Sequence, residues 1–108
     1  MFGDMGKALK QARDVQGKMQ KIQEELGRTE IQGSAGGGQV LITLNGKSEM
    51  LRCKIDPQAL KDAELLEDLV AAAHRDAQQK VQDITKQIAQ REMGPLAGLL
   101  GGGGFPGL

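Results

Sequence analysis

The sequence predicts an α+β fold of order α-β-β-β-α, in which a three-stranded antiparallel sheet is flanked by two long helices. Three observations carry that expectation. Apolar residues recur at alternating steps of three and four through residues 5–27, three short strand-like runs separated by glycines occupy 29–55, and a second amphipathic stretch fills about 62–92.

Met5, Ala8, Ala12, Val15, Met19, Ile22 and Leu26 form a heptad seam and define the first helix. Asp4 can cap its start and Gly27 can end it in a left-handed C-cap, while Gly17 costs about 1 kcal/mol relative to Ala. Thr29–Gly33 and Gln39–Leu44 read as a hairpin across a Ser-Ala-Gly-Gly-Gly connection, and Asn45-Gly46 marks the next tight turn. In the third strand, Met50–Ile55, Leu51, Cys53 and Ile55 alternate with Arg52 and Lys54, so one face is expected to be buried. Asp56-Pro57 suits an N-cap and a first helical turn, and the second helix is expected over Asp62–Glu92. Its stripe of Leu66, Val70, Ala73, Ala77, Val81, Ile84 and Ile88 has the period of a straight helix, and Gly94-Pro95 stops it. The chain divides into an ordered unit, residues 1–93, and a Gly-rich tail, 94–108, expected to be flexible.

With 39% apolar and 26% charged residues in a chain of 108, one small domain is expected. No apolar run is long enough for a membrane span and Phe2 is followed by Gly3 and Asp4 rather than a signal-type apolar segment, so a cytoplasmic protein is expected. One cysteine and one histidine cannot build a structural zinc site or an internal disulfide, and no cofactor or small-molecule substrate is implied. Gly36-Gly37-Gly38 lacks the Gly-Lys-Ser/Thr of a phosphate loop and precedes a strand, so it reads as a turn. His74 has no neighbouring nucleophile and orienting acid, so no enzyme is expected. Phe2 and Phe105 are the only aromatic residues, which removes the base-stacking platforms of single-strand binders.

A helix of some 31 residues is roughly 45 Å long, against a radius of gyration near 13 Å for a compact domain of about 100 residues. The helices are therefore expected to project from the sheet and pair antiparallel as a stalk, burying Met5, Ala12 and Val15 against Ile84 and Ile88. So small a core, with an exposed sheet edge, also predicts a two-fold homodimer.

Equal numbers of basic and acidic residues, 14 each, hide an uneven distribution. Lys7, Lys10, Arg13, Lys18 and Lys21 face only Asp14 within their segment, and Arg75, Lys80, Lys86 and Arg91 face Asp76 and Asp83. Acids gather instead over Lys61–Asp68. Cations concentrated on helices suit a nucleic-acid backbone, although the sequence pI near 6.6 is far from that of a strongly basic binder. The alternative is a solvated face laced with pairs such as Lys10–Asp14 and Lys21–Glu25, with Arg75 pairing to nearby acids. Lys7, Arg13 and Lys18, with Lys80, Lys86 and Arg91 on the second helix, are then the better phosphate candidates. No helix-turn-helix reader is evident, so weak sequence specificity is expected. A competing reading is a dimeric scaffold whose apolar seam clamps a partner protein.

Met1-Phe2-Gly3, Met19-Gln20-Lys21-Ile22-Gln23-Glu24-Glu25-Leu26, Gly37-Gly38 before Val40, Leu44-Asn45-Gly46, Ile55-Asp56-Pro57 and Leu65–Ala73 with Asp76-Ala77 together resemble the YbaB/EbfC family of bacterial nucleoid-associated proteins, over residues 1 to about 92. The resemblance implies a tweezer-shaped homodimer, cytoplasmic and nucleoid-associated, that binds double-stranded DNA, alters its conformation and influences gene expression. The DNA-binding set expected here is Lys7, Lys10, Arg13, Lys18, Lys21, Lys80, Lys86 and Arg91. Two features depart from the family pattern, the acidic Asp4 near the start and a tail of almost pure Gly, Leu and Pro.

Overall fold

The computed structural model describes residues 2–94. Helix α1 runs Phe2–Arg28, strands β1, β2 and β3 run Glu30–Ala35, Val40–Asn45 and Met50–Ile55, a short 3-10 helix runs Pro57–Lys61, and helix α2 runs Ala63–Met93. The strands form one antiparallel meander of order β1-β2-β3, so the expected α-β-β-β-α architecture stands. The expected tail beyond Gly94 lies outside the described residues.

Register places Ile31, Gly33 and Ala35 beside Leu44, Ile42 and Val40 on one face of the sheet, with Cys53 and Ile55 continuing that face on β3. Helix α2 lies across it, and Ile31, Val40, Ile42, Leu44, Ala73, Ala77 and Val81 form the main core. The approach is close: a Cβ on Gly33 would overlap the Ala73 carbonyl oxygen and the Ala77 nitrogen. Small residues on both sides therefore bring helix and strand backbones together. A second cluster, Ile22, Leu26, Ile88 and Met93 with Val15 at its margin, joins the C-terminal part of α1 to the end of α2. Ile84 packs against both clusters.

Several local expectations are corrected. Gly27 does not cap α1: the helix continues to Arg28 and ends where the Thr29 hydroxyl donates to the Glu25 carbonyl at 2.7 Å. Asp4 sits in the first turn rather than ahead of the helix. Asn45-Gly46 is not a two-residue turn. Residues 46–49 link β2 to β3, the Asn45 side chain accepts from the Lys47 and Glu49 amides at 2.9 and 3.0 Å, and Ser48 takes the left-handed conformation. The Gly46 amide donates 2.7 Å to the Leu26 carbonyl, a docking that leaves no room for a Cβ. The Gly36-Gly37-Gly38 turn is as expected, all three with positive φ. Asp56-Pro57 caps the 3-10 helix, while Asp62 separately caps α2 by accepting from the Leu65 amide at 3.1 Å.

Two corrections bear on function. Cys53 and Leu51 are exposed rather than buried, because α2 covers β1 and β2 and leaves β3 largely open. The stalk also pairs over only part of its expected length. Glu92 sits beside Lys21 and Arg91 beside Glu25, so α2 ends alongside residues 21–25 of α1. Residues 4–14 are all exposed, Met5 and Ala12 included, and Val15 is half-buried. The molecule is 71 × 21 × 18 Å, drawn out by this unpaired half of α1.

Gly33 and Gly17 should respond oppositely to alanine. Gly33→Ala is expected to cost about 1–3 kcal/mol or more through overpacking, whereas Gly17→Ala, with nothing within 4 Å of the added methyl, should stabilise by up to about 1 kcal/mol. Urea unfolding of the two variants beside the parent measures both.

Candidate nucleic-acid interface

An α-helix turns about 100° per residue, so Lys7, Lys10, Lys18 and Lys21 fall in one narrow sector of α1. That sector lies opposite the apolar seam. The stripe is roughly 20 Å long at 1.5 Å per residue, and Asp14 is the one acid within it. Lys7, Lys10 and Arg13 are exposed on the projecting half, and Lys18 is half-buried where α1 nears the end of α2. None of these four has an ion-pair partner among the described residues. The Lys10–Asp14 pair of the alternative, solvated-face reading does not form.

The remaining expected cations divide. Lys21 reaches Glu92 on α2 at 3.4 Å rather than Glu25 on its own helix. Arg91 pairs with Glu25, and its guanidinium also lies 3.4 Å from Glu92. Glu25 is the main cause holding the Arg91 pKa above its ordinary value. These contacts cross between the helices where the stalk begins. Lys80 lies near the sheet: it donates to the Gln32 carbonyl at 3.0 Å and pairs with Asp76 at 3.2 Å. Lys86 is exposed and unpaired among the described residues, sheetward of Arg91 on α2. Arg75 donates to the Ala71 carbonyl and has no ion-pair partner among the described residues, contrary to the expected pairing with nearby acids. Among the described residues, then, α1 carries cations to a tip, whereas those of α2 lie along the body.

Asp76 and Lys80 also close one edge of the sheet. The Ser34 amide donates 2.9 Å to Asp76 while Lys80 takes the Gln32 carbonyl, so α2 side chains satisfy the outer groups of β1. Among the described residues nothing comparable covers β3, where Met50 is 53% and Leu51 45% exposed. On the sheet face away from α2, Arg52 bridges to Glu30 at 3.3 Å. Sequence reading missed this asymmetry between edges; the i, i+4 spacing of Asp76 and Lys80 was its one visible sign.

Among the described residues no group of three or more His, Cys, Asp or Glu could hold a metal ion, and no helix is long and apolar enough to cross a membrane. A small α-β-β-β-α platform bearing one protruding cationic helix defines a binding module. The model of the YbaB/EbfC DNA-binding family matches residues 1–100, and the chain belongs to that family. Its members are DNA-binding proteins rather than enzymes. The chain is 44% identical over 107 residues to a nucleoid-associated protein of Rhodococcus opacus, covering 97% of this chain and 91% of the relative. It is 45% identical, with the same coverage, to a nucleoid-associated protein of Streptomyces avermitilis. Over 82 residues it is 49% identical to the nucleoid-associated protein Atu0095 of Agrobacterium fabrum, covering 74% and 73% of the two chains. The crystal structure of uncharacterized protein HP0035 from Helicobacter pylori shares the fold, with a TM-score of 0.71 at 24% identity over 87% of this chain and 98% of that one.

The Ser34 amide, and after it Lys80, hold the Asp76 carboxyl below its ordinary value of 3.8. A depressed folded-state pKa means that the stabilisation is complete above the unfolded value and lost as pH falls through the folded one. The urea midpoint of the parent should therefore exceed that of Asp76→Asn by a constant margin above about pH 5, and the margin should shrink as pH drops below about 4. A margin that widens in acid would contradict the assignment.

Proposed function

We propose that this protein is a nucleoid-associated protein that binds duplex DNA with little sequence preference, gripping phosphates with the cationic face of the projecting half of α1. One observation carries the reading: Lys7, Lys10 and Lys18 share a stripe on that helix, opposite its apolar seam, and have no ion-pair partner among the described residues. Arg13 flanks the stripe, and Lys86 on α2 is a second contact. Lys21, Lys80 and Arg91 serve primarily to hold the fold, since each is engaged with a carboxylate. Backbone charge is the ligand, so the protein needs neither aromatic stacking nor a helix seated in the major groove. Such a protein works at the nucleoid in the bacterial cytoplasm.

The working unit in this proposal is a homodimer joined along β3. One sheet edge is closed by Asp76 and Lys80, while the other presents free backbone groups with Met50, Leu51 and Cys53 exposed. Antiparallel pairing of β3 with its symmetry copy would complete that edge and cover those side chains. Two cationic arms would then act on one duplex, and DNA held by both would be bent or bridged according to the angle between them.

Affinity for labelled duplex should fall log-linearly with salt, with a slope near 0.9 for each phosphate neutralised. Lys7→Gln and Lys10→Gln should each lower that slope by about one unit, Lys80→Gln should leave it unchanged, and Asp14→Asn should tighten binding. A slope indifferent to Lys7 and Lys10 removes the arm from the interface. Sedimentation at low micromolar concentration should show a dimer for the parent and a monomer for Leu51→Lys; a monomeric parent overturns the β3 assignment.

A further inference from the structure

We propose that the chain's own C-terminal residues, 95–108, dock along the apolar face of the projecting half of α1, covering the seam that α2 leaves bare and leaving the cationic face to DNA.

The uncovered surface is apolar and continuous. Met5, Ala8, Leu9 and Ala12 are spaced i, i+3, i+4 and i+7 and so form one continuous patch, with Met5 65% and Leu9 61% exposed. The same seam is fully used further along, where Ile22 and Leu26 are buried against Ile88 and Met93. Cover ends because α2 ends, not because the apolar pattern does.

The candidate occupant begins where that cover stops. Met93 is wholly buried in the cluster with Ile22, and Gly94 breaks the helix with φ 48° and ψ −123°. The chain therefore leaves α2 beside the last covered turn of the α1 seam. From Val15 back to Met5 is roughly 15 Å of helix, while residues 95–108 can reach up to roughly 45 Å when extended. That length spans the bare patch with slack for a turn, and the attachment point makes the contact intramolecular, so closing it costs little loop entropy.

Composition fits the same role. Residues 95–108 contain Leu96, Leu99, Leu100, Phe105 and Leu108 and no charged side chain. The segment can therefore add apolar cover without contributing an acidic side chain that would compete with phosphate for Lys7, Lys10 and Lys18. A second copy of α1 is a poorer occupant, because Lys7, Lys10 and Arg13 outnumber Asp4 and Asp14 over the bare half and two such arms laid together would repel.

Amide hydrogen exchange on the full-length protein tests this. The parent should show protection over residues 5–14 that does not change with protein concentration. The full-length triple variant Leu96→Ser, Leu99→Ser, Leu100→Ser should exchange about tenfold or more faster there, and Phe105→Ser more modestly, while amides of residues 73–81 stay unchanged and report an intact body. Protection over 5–14 that survives the triple substitution overturns the proposal. If that surviving protection also rises with protein concentration, a second copy covers the seam instead.

Discussion

Everything in this molecule is arranged around one close approach, the seating of α2 on β1 at Gly33. A side chain there would collide with the α2 backbone at Ala73 and Ala77, so the absence of one lets the helix lie directly on the strand. That contact fixes which strands are covered. Helix α2 sits over β1 and β2, its Asp76 and Lys80 reach the outer groups of β1, and β3 is left at an open edge. It also fixes the line along which α2 leaves the sheet, and hence where α2 meets α1.

From that geometry follows a division of labour among cations that look alike in sequence. Lys80 is drawn to the strand edge because α2 passes close over it, and there it neutralises Asp76 while satisfying a backbone carbonyl. Lys21 and Arg91 meet Glu92 and Glu25 because the two helices run antiparallel past each other over that short overlap. Exposed ion pairs of this kind contribute little energy individually, but two crossing the same junction bias the angle at which the arm departs. Beyond the overlap Asp14 lies among the cations, yet Lys7, Lys10, Arg13 and Lys18 form no ion pair among the described residues, and their charge is left uncommitted.

Much of this was legible from spacing alone. The heptad seam over 5–27 gave α1, the glycine-bounded runs gave three strands within two residues of their observed limits, and the stripe from Leu66 to Ile88 gave α2. Local chemistry at Gly27 and Asn45-Gly46 misled because longer-range contacts prevailed. Leu26 and Gly46 dock through a backbone hydrogen bond, which carries α1 past its glycine and lengthens the turn. The alternation in β3 was real, yet Cys53 is exposed, since alternation says which residues share a face and not whether anything lies on it.

The sequence by itself determined the element order, the aliphatic core and the family, because periodicity and motif spacing are properties of the chain. Only the tertiary structure decided how far α2 runs beside α1, which sheet edge is closed and which lysines are already engaged. Those depend on distances between residues up to 71 positions apart, such as Lys21 and Glu92, and side-chain charge acts over a few ångströms of space rather than along the chain.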